Sequence, residues 1–223
     1  IWLKKIGIPK DKIYRVGEKE NFLPANAASD CPNGPCGPCS EIFYDRGEGV
    51  GCGRKECAPD CDCERFVEVW NLVFTQFDRR DGGVLEPLPN KNVDTGMGLE
   101  RMASVMQDVG TNFEIDIFKP IIQNISEITE VKYDSQTESG KLMNRIADHI
   151  RAIIFCISDG VLPGNEGRGY VERRLLRRAV RDGLKLGKED CFLYKLVPII
   201  ADVMHGPYPE IKQRRENIAR IIK

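Results

Sequence analysis

Histidine is nearly missing from this chain of 223 residues: His149 and His205 are the only two. Neither has the sequence surroundings of a Ser-His-Asp or Cys-His arrangement, so nucleophile-and-base chemistry of that kind is excluded, and His149, beside Ile150, reads as a packing residue. No apolar run approaches the roughly 20 residues of a membrane span, and the start Ile1-Trp2-Leu3-Lys4-Lys5 has no signal-peptide pattern. The expectation is a soluble, cytoplasmic chain with no membrane partner, cut from a longer one. An excess of one charge is lacking too. With 33 Lys and Arg against 34 Asp and Glu the net charge is -1, so a polyanionic partner requires a local basic patch. Internal repeats and low-complexity tails are also absent.

Cysteine, by contrast, is plentiful. Nine cysteines, an odd and unevenly spread number, fit reduced thiols or metal ligands better than a secreted disulfide framework. Cys52, Cys57, Cys61 and Cys63 form C-x4-C-x3-C-x-C within a Gly, Pro and Asp-rich stretch. Four thiolates that close together suit a tetrahedral zinc site able to order a loop with no core of its own. Free thiols and a disulfide are the alternatives, and Cys31, Cys36 and Cys39 are substitute ligands.

The length suffices for one large domain or two small ones, and two is the expectation. Residues 1 to 23 mix a helical beginning with an extended piece at Lys12–Val16, and Pro24 to Asp62 reads as a loop-heavy, Cys-rich insertion over 24–63. Phe66–Phe77 is β-branched and aromatic and predicts a long strand, turned by Arg80-Asp81-Gly82-Gly83 into a second strand from Val84. A helix is expected over Leu99–Val109. Beyond Phe113 the pattern is helical. Ile146, Ile150, Ile153 and Ile157 mark one buried stripe ending at Asp159-Gly160. A second helix is expected over Arg168–Leu186, with Val171, Leu175, Ala179 and Val180 inward, and a third from Pro209 to Lys223. The fold class is α+β, with a β-rich part over 1–112 and an all-helical part over 113–223.

Between strand and helix lies Val93-Asp94-Thr95-Gly96-Met97-Gly98-Leu99-Glu100-Arg101, where glycines permit close backbone approach and a guanidinium can pair with phosphate or stack on a base. The bland alternative is an ordinary strand-to-helix turn. On the preceding strand, alternation places Asn71 and Val73 on one face. A regular strand would put Glu68 on the opposite face, as a solvated or structural carboxylate or, alternatively, in a metal or nucleotide role. Glu41 is open in the same way.

Three segments, Gly34-Pro35-Cys36-Gly37-Pro38-Cys39-Ser40-Glu41-Ile42, Glu68-Val69-Trp70-Asn71-Leu72-Val73-Phe74 and Asp94-Thr95-Gly96-Met97-Gly98-Leu99-Glu100-Arg101, closely resemble alanyl-tRNA synthetases, a branch of the class II synthetases. Ala147–Arg151, Asp159–Tyr170 and Arg173–Ala179 extend the resemblance across the chain. It implies part of an antiparallel class II sheet followed by an all-helical tRNA-recognition domain, and activation of alanine by ATP with Mg2+ before transfer to the acceptor stem of tRNA-Ala. By resemblance, Asp94 takes the alanine ammonium, Asn71, Val73 and Gly96 line the alanine site, and Gly98 and Arg101 serve ATP. Leu23 stands where many relatives carry Trp, so residues 24–33 are expected to re-route that pocket wall. No segment matches motif 1 or the motif 2 Arg, and none matches an editing domain. The expectation is an internal fragment nearly inactive alone, with a non-catalytic tRNA-binding module as the alternative.

The basic cluster Arg168, Arg173, Arg174, Arg177, Arg178 and Arg181 reads either as a solvated helix face or as a phosphate-binding face. The resemblance favours the second. It also implies that Asn165, presented by the Pro163-Gly164 turn, reads the G·U pair of the acceptor stem, whose wide minor groove admits an amide.

Overall fold

The computed structural model describes residues 1–24, 33–61 and 63–223. The chain divides into two compact units, Ile1–Met106 and Gln107–Lys223. Residues 107–112 fall in the second because local bonds tie them there: Gln107 and Asp116 exchange side-chain and backbone hydrogen bonds, and Thr111 and Glu114 form a capping box.

The first unit is built on one four-stranded antiparallel sheet in the order β1-β2-β3-β4. A short helix α1 (Glu18–Asn21) leads into β1 (Phe22–Leu23), followed by β2 (Gly34–Asp45), β3 (Phe66–Arg79), β4 (Leu85–Met97) and α2 (Leu99–Met106). The Arg80–Gly83 turn forms as expected, with Gly82 and Gly83 supplying φ of 76° and 79° that side chains resist. Three expectations are corrected. The Gly- and Pro-rich stretch expected to be loop contains β2, because its backbone pairs with β3 along most of its length, interrupted between Cys36 and Cys39 and between Ile42 and Phe43, and tertiary pairing overrides weak propensity. Lys12–Val16 pairs with no described strand, and the helix after the glycine turn closes at Met106. Of the stretch 24–33 assigned to the pocket wall, residues 25–32 lie outside the described residues, as does Cys31.

Gly37 marks a close approach of β2 to β3. A Cβ there would lie 2.0 Å from the Phe74 carbonyl oxygen, and backbone cannot give way as a flexible side chain would. Gly37→Ala should therefore lower stability by about 3 kcal/mol, read as a fall in thermal midpoint. A midpoint matching the parent would show that the strands separate at little cost.

The second unit is helical: α3 (Lys119–Thr129), α4 (Glu138–Ser158), α5 (Gly167–Lys185), α6 (Val197–Met204) and α7 (Pro209–Ile222). The isoleucine stripe of α4 is fully inside, joined by Ile121 and Ile125 of α3, Ile200 of α6 and Ile211 and Ile218 of α7. Thr137 caps α4 by accepting the Gly140 N–H at 3.0 Å, and the helix stops where Gly160 turns to φ 86°. On α5 the expected inward set is half wrong. Ala179 is buried and Leu175 half-buried, but Val171 and Val180 are exposed, and the buried face instead carries Glu172, Asp182 and Gly183. Asp182 is neutralised by Arg145 of α4, whose Nη2 donates to its Oδ1 at 2.8 Å.

Candidate functional site

Strand register assembles the first constellation. In β3 and β4, Asn71 stands opposite Gly96 and Val73 opposite Asp94, while across β2 Asn71 stands opposite Glu41 and Val73 opposite Cys39. Directly opposed residues share a face, so Cys39, Glu41, Asn71, Val73, Asp94 and Gly96 form one patch. Val73 and Cys39 are its buried floor and Asp94 its exposed rim. No described residue pairs with the Asp94 carboxylate. A Cβ at Gly96 would meet nothing within 4 Å, so the space above this backbone is open.

The expectation for Glu68 is overturned by a bulge. Ile42 opposes Trp70, yet the next β2 residue, Phe43, opposes Glu68, leaving Val69 as an extra residue in β3. The extra residue reverses the alternation and brings Glu68 to the face of Asn71 and Glu41. There it holds Arg101: Nη1 donates to Glu68 Oε2 at 2.8 Å and to its backbone oxygen at 3.0 Å. The pair is too exposed to contribute much stability, so its consequence is orientation of the guanidinium. Gly98 assists, since its ideal Cβ would already press the Arg101 stem at 3.3 Å.

Glu41 plays the corresponding part for Asn71. It accepts a hydrogen bond from Asn71 Nδ2 at 2.9 Å, and Asn71 Oδ1 is left buried with no partner among the described residues. Burial, and next the charge of Glu68, raise the Glu41 pKa above the ordinary carboxylate value. Burial and then Glu41 push the Cys39 thiol up to about 11, which keeps it neutral. The patch thus sets three carboxylates, Glu41, Glu68 and Asp94, against Arg101, an environment that favours a cationic group. Nothing in the spacing of Glu41 and Glu68 marks these orienting roles; they arise from cross-strand register and the bulge.

In the second unit, Asn165 is exposed on the loop before α5. That loop is bound to the helix: Gly164 N–H donates to Gly169 carbonyl at 2.9 Å, and Arg173 Nε donates to Gly164 carbonyl at 3.0 Å. Arg173 is therefore committed partly to shaping the turn that presents Asn165. Arg174, Arg177, Arg178 and Arg181 are exposed, and their i, i+3, i+4, i+7 spacing makes one stripe; Arg168 is exposed at the helix start. Both histidines are occupied locally, His149 Nδ1 by Asp148 at 3.1 Å and His205 Nδ1 by the Asp202 carbonyl at 2.6 Å. Among the described residues no helix is long and apolar enough to cross a membrane.

The sulfurs of Cys52, Cys57, Cys61 and Cys63 gather in the loop between β2 and β3, all within 4.8 Å of one another. Cys36 and Cys39 are not among them. Cys36 is buried against Phe22, Phe77 and Leu85, and the Cys39 thiol donates to the Glu20 carbonyl at 3.4 Å.

Residues 1–223 match the family model described as "tRNA synthetases class II (A)". The chain is also 50% identical over 223 residues to proteins named "Alanine--tRNA ligase" from Thermoanaerobacter sp. (strain X514) and from Desulforamulus reducens. It is 49% identical over 223 residues to the protein of that name from Acetivibrio thermocellus. In all three cases the match covers 100% of this chain and 25% of the relative, so the chain spans about a quarter of the length of the curated relatives it matches.

Proposed function

The chain belongs to the class II tRNA synthetase (A) family, and from that premise we propose that it carries part of an alanine-tRNA ligase: an alanine and ATP site in its first unit and a tRNA acceptor-stem surface in its second. Domain roles follow the family resemblance, with a catalytic part over 1–112 and tRNA recognition over 113–223, a division six residues beyond that between the two compact units. The observation that carries the proposal is the β3–β4 register, which sets Val73 against Asp94 and Asn71 against Gly96.

Alanine offers little besides its charged ends and a methyl group, so its site must pair the ammonium and limit size. Asp94 supplies the opposite charge, and the unpartnered Oδ1 of Asn71 accepts a second ammonium N–H. Val73 floors the patch beside the methyl group, while Gly96 leaves room above the backbone. The alanine carboxylate attacks the α-phosphorus of ATP, forming a C–O–P linkage and releasing pyrophosphate. A tRNA terminal hydroxyl then takes the alanyl group and AMP leaves. Positioning and charge stabilisation dominate such phosphate chemistry. Arg101, held by Glu68, is aimed at the nucleotide, and Mg2+ accompanies the ATP phosphates. Alanine-dependent exchange between ATP and pyrophosphate in the complete protein tests this reading. Its absence there would favour a non-catalytic tRNA-binding module of the same fold.

For the second unit, the exposed Arg stripe supplies phosphate contacts and Asn165 reads the G·U pair. Asn165→Ala should erode discrimination between G·U and G·C acceptor stems. Arg177→Ala should weaken binding to both, with about one unit less dependence of log affinity on log salt. Equal loss on both stems from the Asn165 change would remove it from recognition.

A further inference from the structure

The loop from Arg46 to Arg65 has no core. None of its described residues is buried, and the only regular element among them is one turn at Glu48–Val50. Its base is nonetheless closed firmly. Arg46 N–H donates to the Arg65 carbonyl at 2.9 Å, and the Arg65 guanidinium grips both carboxylate oxygens of Asp45 at 2.7 and 2.8 Å. The tip carries the sulfur cluster. Cys52 and Cys61 sulfurs are 3.7 Å apart and Cys57 and Cys63 sulfurs 3.4 Å.

Those separations discriminate between chemistries. A disulfide requires about 2.05 Å between sulfurs. Four thiolates around one Zn2+ at roughly 2.3 Å form a tetrahedron with edges of about 3.8 Å. All six separations here are at or below 4.8 Å, so one ion of that size fits at the centre with little movement. Four thiolates on one divalent ion leave a net charge of about minus two, and the fold places a cation beside it: Arg54 donates through Nε to Cys52 Sγ and through Nη2 to Cys61 Sγ, both at 3.3 Å. Sulfur accepting from guanidinium is the arrangement expected of a metal thiolate with a supporting outer partner.

We propose that Cys52, Cys57, Cys61 and Cys63 bind one structural Zn2+ that folds the loop between β2 and β3, with Arg54 balancing the charge. The site is closed, with four protein ligands and no position for substrate, so its work is mechanical. It substitutes for the missing core and ties together the ends of the strands that carry Glu41, Glu68 and Asn71. This assignment is independent of the ligase reading.

The test is metal analysis of the intact protein purified without chelator and with reductant. The expected result is about one zinc per chain. Replacement by Co2+ should give thiolate-to-cobalt charge-transfer absorption together with the intense visible bands of a tetrahedral site. Cys57→Ser should lose the metal and expose the segment between residues 46 and 65 to protease, while Cys191→Ser, an exposed thiol outside the cluster, should retain it. Should Cys57→Ser fail to fold, stoichiometry and the cobalt spectrum on the unsubstituted protein still decide. Fewer than about 0.2 equivalents of zinc, iron in its place, or metal-free protein with Cys52–Cys61 and Cys57–Cys63 disulfides would each overturn the proposal.

Discussion

On the proposed alanine site, replacing Asp94 by alanine should reduce alanine-dependent ATP–pyrophosphate exchange of the complete protein by on the order of 100-fold in kcat/KM, about 3 kcal/mol of lost transition-state binding. The size follows from what the substrate offers. Alanine's methyl group presents too little apolar surface for the pocket to hold it by burial, so the ammonium pair carries most of the recognition. Asp94→Asn keeps shape and one acceptor but not the charge, and should fall between the two. Arg101→Ala should instead raise the KM for ATP. Glu68→Gln, which removes only the charge that orients Arg101, should do the same more weakly. Exchange that survives Asp94→Ala undiminished would dismiss the carboxylate from substrate binding, whatever the fate of the other variants.

Glu172→Leu should stabilise the protein, and increasingly so as pH rises. Glu172 is 1% exposed on the inner face of α5, and neither carboxyl oxygen has a hydrogen-bond partner among the described residues. Burial alone pushes its pKa up to about 7. The sign follows from proton counting. At low pH, below the unfolded pKa near 4.5, both states hold the proton and there is no penalty. Between that value and about 7 the unfolded chain releases its proton first, so stability falls as pH rises, and above 7 the deficit is constant. A shift of that size corresponds to roughly 3 kcal/mol, or about 6–12 °C of thermal midpoint for a chain this long. Melting midpoints of parent and Glu172→Leu should therefore lie closest near pH 4, below the unfolded pKa, and move apart by pH 8; a difference that stays constant across that range would show that the carboxyl finds a partner in solution.

Much of this was written in local pattern. The isoleucine periodicity of α4, the β-branched run of β3, the Arg80–Gly83 turn and the final helix all form where spacing places them, since each depends on neighbours within a few residues. Patterns that depend on distant partners misled. Gly34–Asp45 has the composition of loop yet pairs as β2, because the hydrogen bonds of β3 lie on the other side of a 20-residue excursion. Val171 and Val180 look inward by hydropathy, but α5 turns Glu172 and Asp182 toward α4, where Arg145 awaits Asp182.

The division is sharpest at the patch on β2, β3 and β4. By itself the sequence determined the family, the chemistry available in Asn71, Val73, Asp94 and Arg101, and the four cysteines close enough along the chain to meet. Only the tertiary structure decided that Val69 bulges out of β3, which turns Glu68 from the far face onto the near one and gives Arg101 its anchor. It likewise decided that Glu41 holds Asn71. Alternation along a strand is a local rule and readable; register between strands depends on which backbone groups find partners across the sheet, and a single extra residue reverses every face beyond it.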